Sequence, residues 1–333
     1  MKSIIISDRN GALSNVYSYE MLDFLCENAG LDRKFLTSGD IRNNPEGYKD
    51  VKYIFTTWGY PVFTEEEIDN IFPSLECIFY GAGTVQYFAR PYIKRGIKVF
   101  SAWAANAVPV AEYTVAQITL ANKGFYLTSR YQSVGDSAKA RNFMNGYAGN
   151  YDVNVGIIGA GMIGKMVIKE LKRHKLNILV FDPFLPDKTA EELGVTKCSL
   201  DYLFENCFVI SNHLANNEQT KGMLGGELFG KMMQYATFIN TGRGAQVVEE
   251  DLIRVLTERP DITAILDVTE PEPPVKDSPF YTLSNCILTP HIAGSLGNEV
   301  HRMSEYMKDE FIRYENGEKC LYEVTEKMLE TMA

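Results

Sequence analysis

Four side chains able to move protons or bind anions follow short apolar runs in the second half of the chain. Arg243 follows the run Ala236 to Asn240, and Asp267 closes the run Ile262 to Leu266. Glu272 comes just after Asp267, and His291 follows Cys286 to Leu288. A histidine gives or takes a proton near neutral pH. A carboxylate beside it fixes its tautomer and favours its charged form. An arginine offers a planar fork of donors that matches a carboxylate and an adjacent carbonyl. Taken singly, each reads more simply as a structural histidine, a surface ion pair or a solvated loop charge. Together at the strand ends of one sheet, they read as an acid–base centre with an anion clamp.

The stretch that would place a ligand beside them runs from Tyr151 to Pro183. It opens with an apolar run, Val153 to Ile158, too short for a helix, which reads as a buried parallel strand. Gly159, Gly161 and Gly164 follow as G-x-G-x-x-G, and Met162 to Arg173 then has helical spacing. A second apolar run, Ile178 to Phe181, ends at Asp182, eighteen residues after Gly164. Gly159 suits a tight turn, Gly161 lets the backbone approach a pyrophosphate, and Gly164 lets helix and strand pack closely. The helix start offers unpaired N–H groups to phosphates, and Asp182 can accept the ribose hydroxyls. A lone glycine triplet could mark only a close contact. Strand, glycines, helix, strand and acid in this order imply a dinucleotide site. Asp182 would repel a 2′-phosphate and no Arg follows it closely, so NAD is expected over NADP.

At 333 residues the chain is long enough for about two domains, each with its own core. Hydrophobic content of 45% and charge of 23% are ordinary for a globular protein. A net charge of −10 argues against general binding to nucleic acid or anionic membranes. The N-terminal stretch MKSIIISDRNG is too short in apolar residues for a signal peptide, and no run resembles a membrane span. The six cysteines are scattered without a C-x-x-C pair, so buried free thiols are expected rather than disulfides or a metal site. A reducing, cytoplasmic setting fits this.

Residues 1 to 104 alternate strand-like and helical segments. Ile4 to Ile6, Val51 to Phe55, Leu75 to Tyr80 and Ile97 to Phe100 read as strands. Val16 to Asn28 and Thr64 to Ile71 read as helices, the second capped by Thr64. This alternation implies a parallel sheet whose ligands lie beyond the carboxyl ends of the strands. Three loops there carry weight: Ser7 to Asn10, Thr56 to Pro61 and Gly81 to Val85. Asn106 to Tyr131 reads as one long helix with Pro109 near its start, apolar on nearly every face and so buried. Ser133 to Asn150 reads as a polar connection. The tail, Leu321 to Ala333, is expected to pack on the first domain. His213, at another strand end, reads as a residue that positions backbone near the cofactor.

In this setting the sequence resembles the D-isomer-specific 2-hydroxyacid dehydrogenases, a group with phosphoglycerate, D-lactate and glyoxylate/hydroxypyruvate enzymes. The likeness runs nearly end to end, through GAGTV at 81–85, RGIKVFSA at 95–102, NAVPVAEYT at 106–114, VGIIGAGMIG at 155–164, INTGRG at 239–244, LDVTEPEPP at 266–274 and LTPHIAG at 288–294. The resemblance implies an α/β fold of two doubly wound parallel-sheet domains. A flavodoxin-like substrate domain would comprise residues 1–104 and 296–333, and an inserted NAD-binding Rossmann domain residues 105–295. It also implies homodimers built through the long helix. By the same match Arg243 is the substrate-binding arginine, His291 the catalytic acid/base and Glu272 its partner. Gly81, Ala82 and Gly83 would meet the substrate carboxylate, and Trp58 would line the pocket. The cofactor set would be Gly159, Gly161, Met162, Ile163, Gly164, Asp182, Leu214, Ala215, Thr220, Thr241 and Asp267, the last on the nicotinamide amide. No metal is implied.

Three departures stand out. His213-Leu214-Ala215 replaces the family's usual H-x-P, and Gly149 to Val153 replaces a glycine-lysine turn. The stretch Thr56 to Pro61, TTWGYP, is not a feature of the well-known members and sits where substrate specificity is set. An alternative from another class is an NAD-sensing dimeric regulator like the C-terminal-binding-protein corepressors. Those carry a tryptophan shortly after the histidine, where this chain has Gly294-Ser295-Leu296, which favours the enzyme. Glu272 stands where formate-type dehydrogenases have glutamine.

Overall fold

The computed structural model describes residues 3–330; residues 1 and 2 of the N-terminal stretch and 331–333 of the expected tail lie outside the described residues. The chain divides into two compact units, one holding residues up to Ala107 and from Ser295 onward, the other Val108–Gly294. Among the described residues no helix is long and apolar enough to cross a membrane.

The first unit is built on five parallel strands, β1 (Ser3–Ile6), β2 (Leu31–Leu36), β3 (Tyr53–Thr56), β4 (Cys77–Tyr80) and β5 (Lys98–Ser101), in the order β2-β1-β3-β4-β5. Every residue of β1, β3 and β4 is buried, as expected of strands covered on both faces. The helix His301–Glu315 covers one face, with Phe311 edge-on to Phe55 and Phe79 at 5.8 Å. The tail then joins the edge strand, the Val324 N–H donating to the Val99 carbonyl and the Ser101 N–H to that of Tyr322. Glu310, wholly buried, secures this return by accepting the N–H groups of Leu321 and Tyr322.

The second unit carries seven parallel strands, β6 (Tyr151–Ile158), β7 (Lys175–Phe181), β8 (Thr196–Lys197), β9 (Val209–Asn212), β10 (Thr237–Asn240), β11 (Thr263–Leu266) and β12 (Cys286–Leu288). Their order is β12-β11-β10-β9-β6-β7-β8, doubly wound from β6. Strand alternation divides its core in two. Ile157, Val180, Val209, Ile239 and Ile265 face one layer, and Ile158, Leu179, Ile210, Phe238 and Leu266 the other.

Several elements differ from the sequence reading. The helix expected over 106–131 is two, Trp103–Asn122 and Phe125–Ser133, broken at Gly124. Gly124 has φ +67°, and a Cβ there would lie 2.4 Å from the Tyr147 ring, so the position demands glycine. Pro109 sits within the first of these helices rather than near its start. The connection expected over 133–150 contains a further helix, Ser137–Met144, capped by Asp136. The helix expected over 16–28 is also two, Ala12–Val16 and Tyr19–Ala29, with Ser18 capping the second.

Candidate active site

The glycine stretch has the geometry its spacing suggests. Gly159, at φ +88°, lies so close to the loop after β9 that a Cβ would stand 2.6 Å from the His213 carbonyl oxygen. At Gly164 a Cβ would meet the Gly159 carbonyl oxygen at 2.1 Å, so helix and turn touch backbone to backbone. Gly161 has open space where its Cβ would be. It precedes the helix Met162–Leu171, whose first turn has no side-chain cap and no acid. Its N–H groups are therefore available to an anion, with half-buried Met162 and Ile163 beside them.

Asp182, immediately after β7, does structural work as well. One carboxylate oxygen accepts the Ala160 N–H at 2.7 Å and the other the Phe184 N–H at 2.8 Å. The acid thus pins the glycine turn to the end of the second strand and is left half-buried. A carboxylate has about four lone-pair positions, so acceptor capacity remains for hydroxyls.

His213 is 9% exposed, its Nε2 lies 2.9 Å from the Ser211 hydroxyl, and its Nδ1 has no partner among the described residues. Burial pushes its pKa down to about 4, so the ring is neutral. In the same loop the Thr220 hydroxyl donates to the Ala215 carbonyl at 2.7 Å. Thr241, buried after β10, lies 3.3 Å from the Thr114 hydroxyl.

The residues singled out for chemistry fall on loops that follow β10, β11 and β12. His291 Nδ1 lies 2.6 Å from Glu272 Oε1, both side chains partly exposed, and His291 Nε2 has no partner among the described residues. His291 adopts φ +56°, a conformation uncommon outside glycine. Asp267 holds it there, with its carboxylate 2% exposed and occupied by the Thr289 hydroxyl and the Ile292 and Ala293 N–H groups. Arg243 is exposed, and one guanidinium nitrogen donates to the Gly242 carbonyl at 2.8 Å. Its remaining donors have no partner among the described residues.

In the first unit the Gly81–Gly83 turn follows β4. The Ala82 N–H, expected to face a carboxylate, donates to the Tyr80 carbonyl at 2.8 Å and the Gly81 N–H to that of Thr56 at 2.7 Å, whereas the Gly83 N–H has no partner among the described residues. Trp58 is half-buried against the first unit's core, and its carbonyl accepts the Ser7 hydroxyl at 2.7 Å.

Sequence reasoning missed the amides that tie the second unit's loops together. Asn212 donates to Asn240 at 3.0 Å and to Gln246 at 2.6 Å, and all three side chains are buried. The available signal was polar: Asn212 and Asn240 end apolar strands, and Gln246 stands before Val247-Val248.

Glycine turn, uncapped helix start and acid at the second strand tip together define a Rossmann-type dinucleotide site. The family model described as D-isomer specific 2-hydroxyacid dehydrogenase, NAD binding domain, matches residues 115–293. Glyoxylate reductase of Korarchaeum cryptofilum is 30% identical over 257 residues, 76% of this chain and 77% of that one. The chain belongs to the D-isomer-specific 2-hydroxyacid dehydrogenase family, and its cofactor is NAD. D-3-phosphoglycerate dehydrogenase of Archaeoglobus fulgidus is 32% identical over 61% of this chain, which spans only 38% of that protein's length. Two solved structures share the fold over 98% of the chain. They are a phosphoglycerate oxidoreductase from Rhizobium etli (TM-score 0.81, 22% identity, 99% of it covered) and a D-isomer specific 2-hydroxyacid dehydrogenase from Lactobacillus delbrueckii in its NAD-complexed form (TM-score 0.79, 17% identity, 100% covered).

Proposed function

We propose that this chain is an NAD-dependent oxidoreductase that interconverts a small 2-oxo acid and its D-2-hydroxy acid. The observation that carries the reading is the 2.6 Å contact between His291 Nδ1 and Glu272 Oε1, within an NAD-binding domain of this family.

Glu272 fixes the tautomer and orientation of His291, so Nε2 is the nitrogen that serves the substrate. In reduction Nε2 donates a proton to the carbonyl oxygen; in oxidation it takes the hydroxyl proton. Arg243 holds the substrate carboxylate with the donors it does not spend on Gly242. NADH, when bound, supplies the hydride that carbon 2 receives. Arg243 and His291 together meet the charge that develops on the oxygen. Glycines 159, 161 and 164 and the helix start hold the pyrophosphate, and Asp182 the ribose. Leu214, Ala215, Thr220, Thr241 and Asp267 belong to the same cofactor set. From the first unit, the Gly81–Gly83 turn and Trp58 are proposed to contact the substrate. The working form is proposed as a cytoplasmic homodimer.

A panel of 2-oxo acids offered with NADH and followed by NADH absorbance tests the reading. Turnover of at least one acid, abolished in His291→Ala, is expected. If NADH binds but no acid on the panel is reduced, the proposal fails.

A further inference from the structure

Gln246 is wholly buried, and its amide is occupied by groups from two stretches of the chain, residues 212–215 and Arg243. Its Oε1 accepts from Asn212 Nδ2 at 2.6 Å and from the Arg243 N–H at 3.2 Å. Its Nε2 donates to the Leu214 carbonyl at 2.9 Å and the Ala215 carbonyl at 3.0 Å. Two acceptances and two donations nearly exhaust a carboxamide. One end of the chain of contacts is the loop after β9, which abuts Gly159 in the glycine turn. The other is the backbone of Arg243, whose carbonyl is also taken by Asn240 Nδ2 at 3.2 Å.

We infer that Gln246 is a positioning residue that couples the cofactor loop at Leu214–Ala215 to the substrate-binding arginine. The inference rests on the proposed role of Arg243. A carboxamide suits the task because it must donate to two carbonyls on one side and accept from two N–H groups on the other. An aliphatic side chain of similar size would fill the space but take these bonds from the Leu214 carbonyl and the Arg243 N–H, leaving the Ala215 carbonyl with Thr220 and Asn212 Nδ2 with Asn240. Each such loss is costly in an interior shielded from water. The loop in question departs from the family's usual H-x-P, and without that proline the Gln246 bonds join those from Thr220 to the Ala215 carbonyl and from the Leu214 N–H to Asn212 in fixing its course.

Two variants test this, read by NADH titration without substrate and by the KM for the preferred 2-oxo acid at saturating NADH. Gln246→Leu is expected to weaken both, each by about tenfold or more. Gln246→Glu is the discriminating variant. A protonated glutamic acid can still accept on one oxygen and donate from the other; a carboxylate facing two carbonyls cannot. The charged or titratable residues on the segments that bond the amide are Arg243 and His213, the latter kept neutral by burial, and Glu249 follows three residues on in the chain. NADH affinity of Gln246→Glu should therefore lie near that of the unmodified protein in acid and fall as pH rises, while the unmodified protein changes little. A residue that merely filled space would show no such recovery. The inference is overturned if Gln246→Leu matches the unmodified protein in both readouts, or if Gln246→Glu gains no affinity on acidification. Failure of the Arg243 assignment would look different. Arg243→Lys would then leave the oxo-acid KM unchanged, whatever Gln246→Leu did to NADH binding.

Discussion

The carbonyl of Asp267 accepts the His291 N–H at 3.1 Å, while its carboxylate accepts the N–H groups of the next two residues, Ile292 at 2.8 Å and Ala293 at 2.9 Å. One residue thus holds the backbone on both sides of the histidine's Cα and stabilises its left-handed conformation without contacting the ring. The Thr289 hydroxyl, at 2.6 Å, completes the grip.

Asp267→Asn should break this arrangement because an amide nitrogen must face either a backbone N–H or the Thr289 hydroxyl. At this buried position the loss should be on the order of 1–3 kcal/mol of stability. kcat should fall with it, since His291 would no longer be held in one place. Urea unfolding and kcat measured together check this. An Asn variant as stable and as fast as the parent would refute the role of Asp267 in placing the histidine.

Asp182, the acid at the second strand tip, is proposed to set the cofactor preference. A 2′-phosphate would meet the Asp182 carboxylate, so NADPH should bind far more weakly than NADH. Asp182→Ala should narrow that gap chiefly by weakening NADH. The variant also releases the Ala160 N–H from its 2.7 Å bond, so some loss of affinity should come from a looser glycine turn. Fluorescence titration with both cofactors decides the point, and equal affinity of the parent protein for the two would end this account.

Much of this was legible in the sequence because the signals were local. Glycine, strand and helix between Tyr151 and Asp182 are specified by neighbours a few residues apart, and the structure has them in that order. The edge strand β2 was missed. Leu31–Leu36 has four charged or exposed positions between two buried leucines, and such edges carry no apolar run. The break at Gly124 was missed because its cause, the Tyr147 ring, is distant in sequence. The same holds for Gln246, whose four partners lie on segments up to thirty-four residues away. Hydrogen-bonded networks leave no periodicity to read, only a polar residue in an apolar setting.

His213 makes stability depend on pH. Its ordinary pKa of 6.5 falls to about 4 in the folded protein because burial disfavours the charged ring. Between those values the unfolded chain binds a proton that the folded one does not. Stability is therefore full above pH 6.5 and declines as pH falls toward 4, by about 3 kcal/mol for the whole interval. His213→Gln should flatten this part of the curve. Unfolding free energies of the two proteins across that range, subtracted, should show the difference. A difference independent of pH would mean that the ring charges freely in the native state.

The last prediction concerns Glu272 and His291, whose side chains meet at 2.6 Å. Reduction of a 2-oxo acid needs the imidazolium, and oxidation of a hydroxy acid needs the neutral ring, so the two directions have opposite pH limbs. The Glu272 carboxylate can only accept from Nδ1, which fixes the ring's tautomer. Glu272→Gln keeps the shape but can turn an amide nitrogen toward Nδ1, so the ring would no longer be held in one tautomer. kcat/KM should accordingly fall in both directions, by about tenfold or more. His291→Ala should slow both directions at every pH, by roughly two to four orders of magnitude. NADH affinity should change little in either variant, because neither side chain belongs to the glycine turn or to the grip on Asp182. The measurement is kcat/KM against pH in both directions for the parent and the two variants. Profiles of Glu272→Gln that coincide with those of the parent would mean that the carboxylate does not act on the histidine, and the acid–base mechanism would have to be given up.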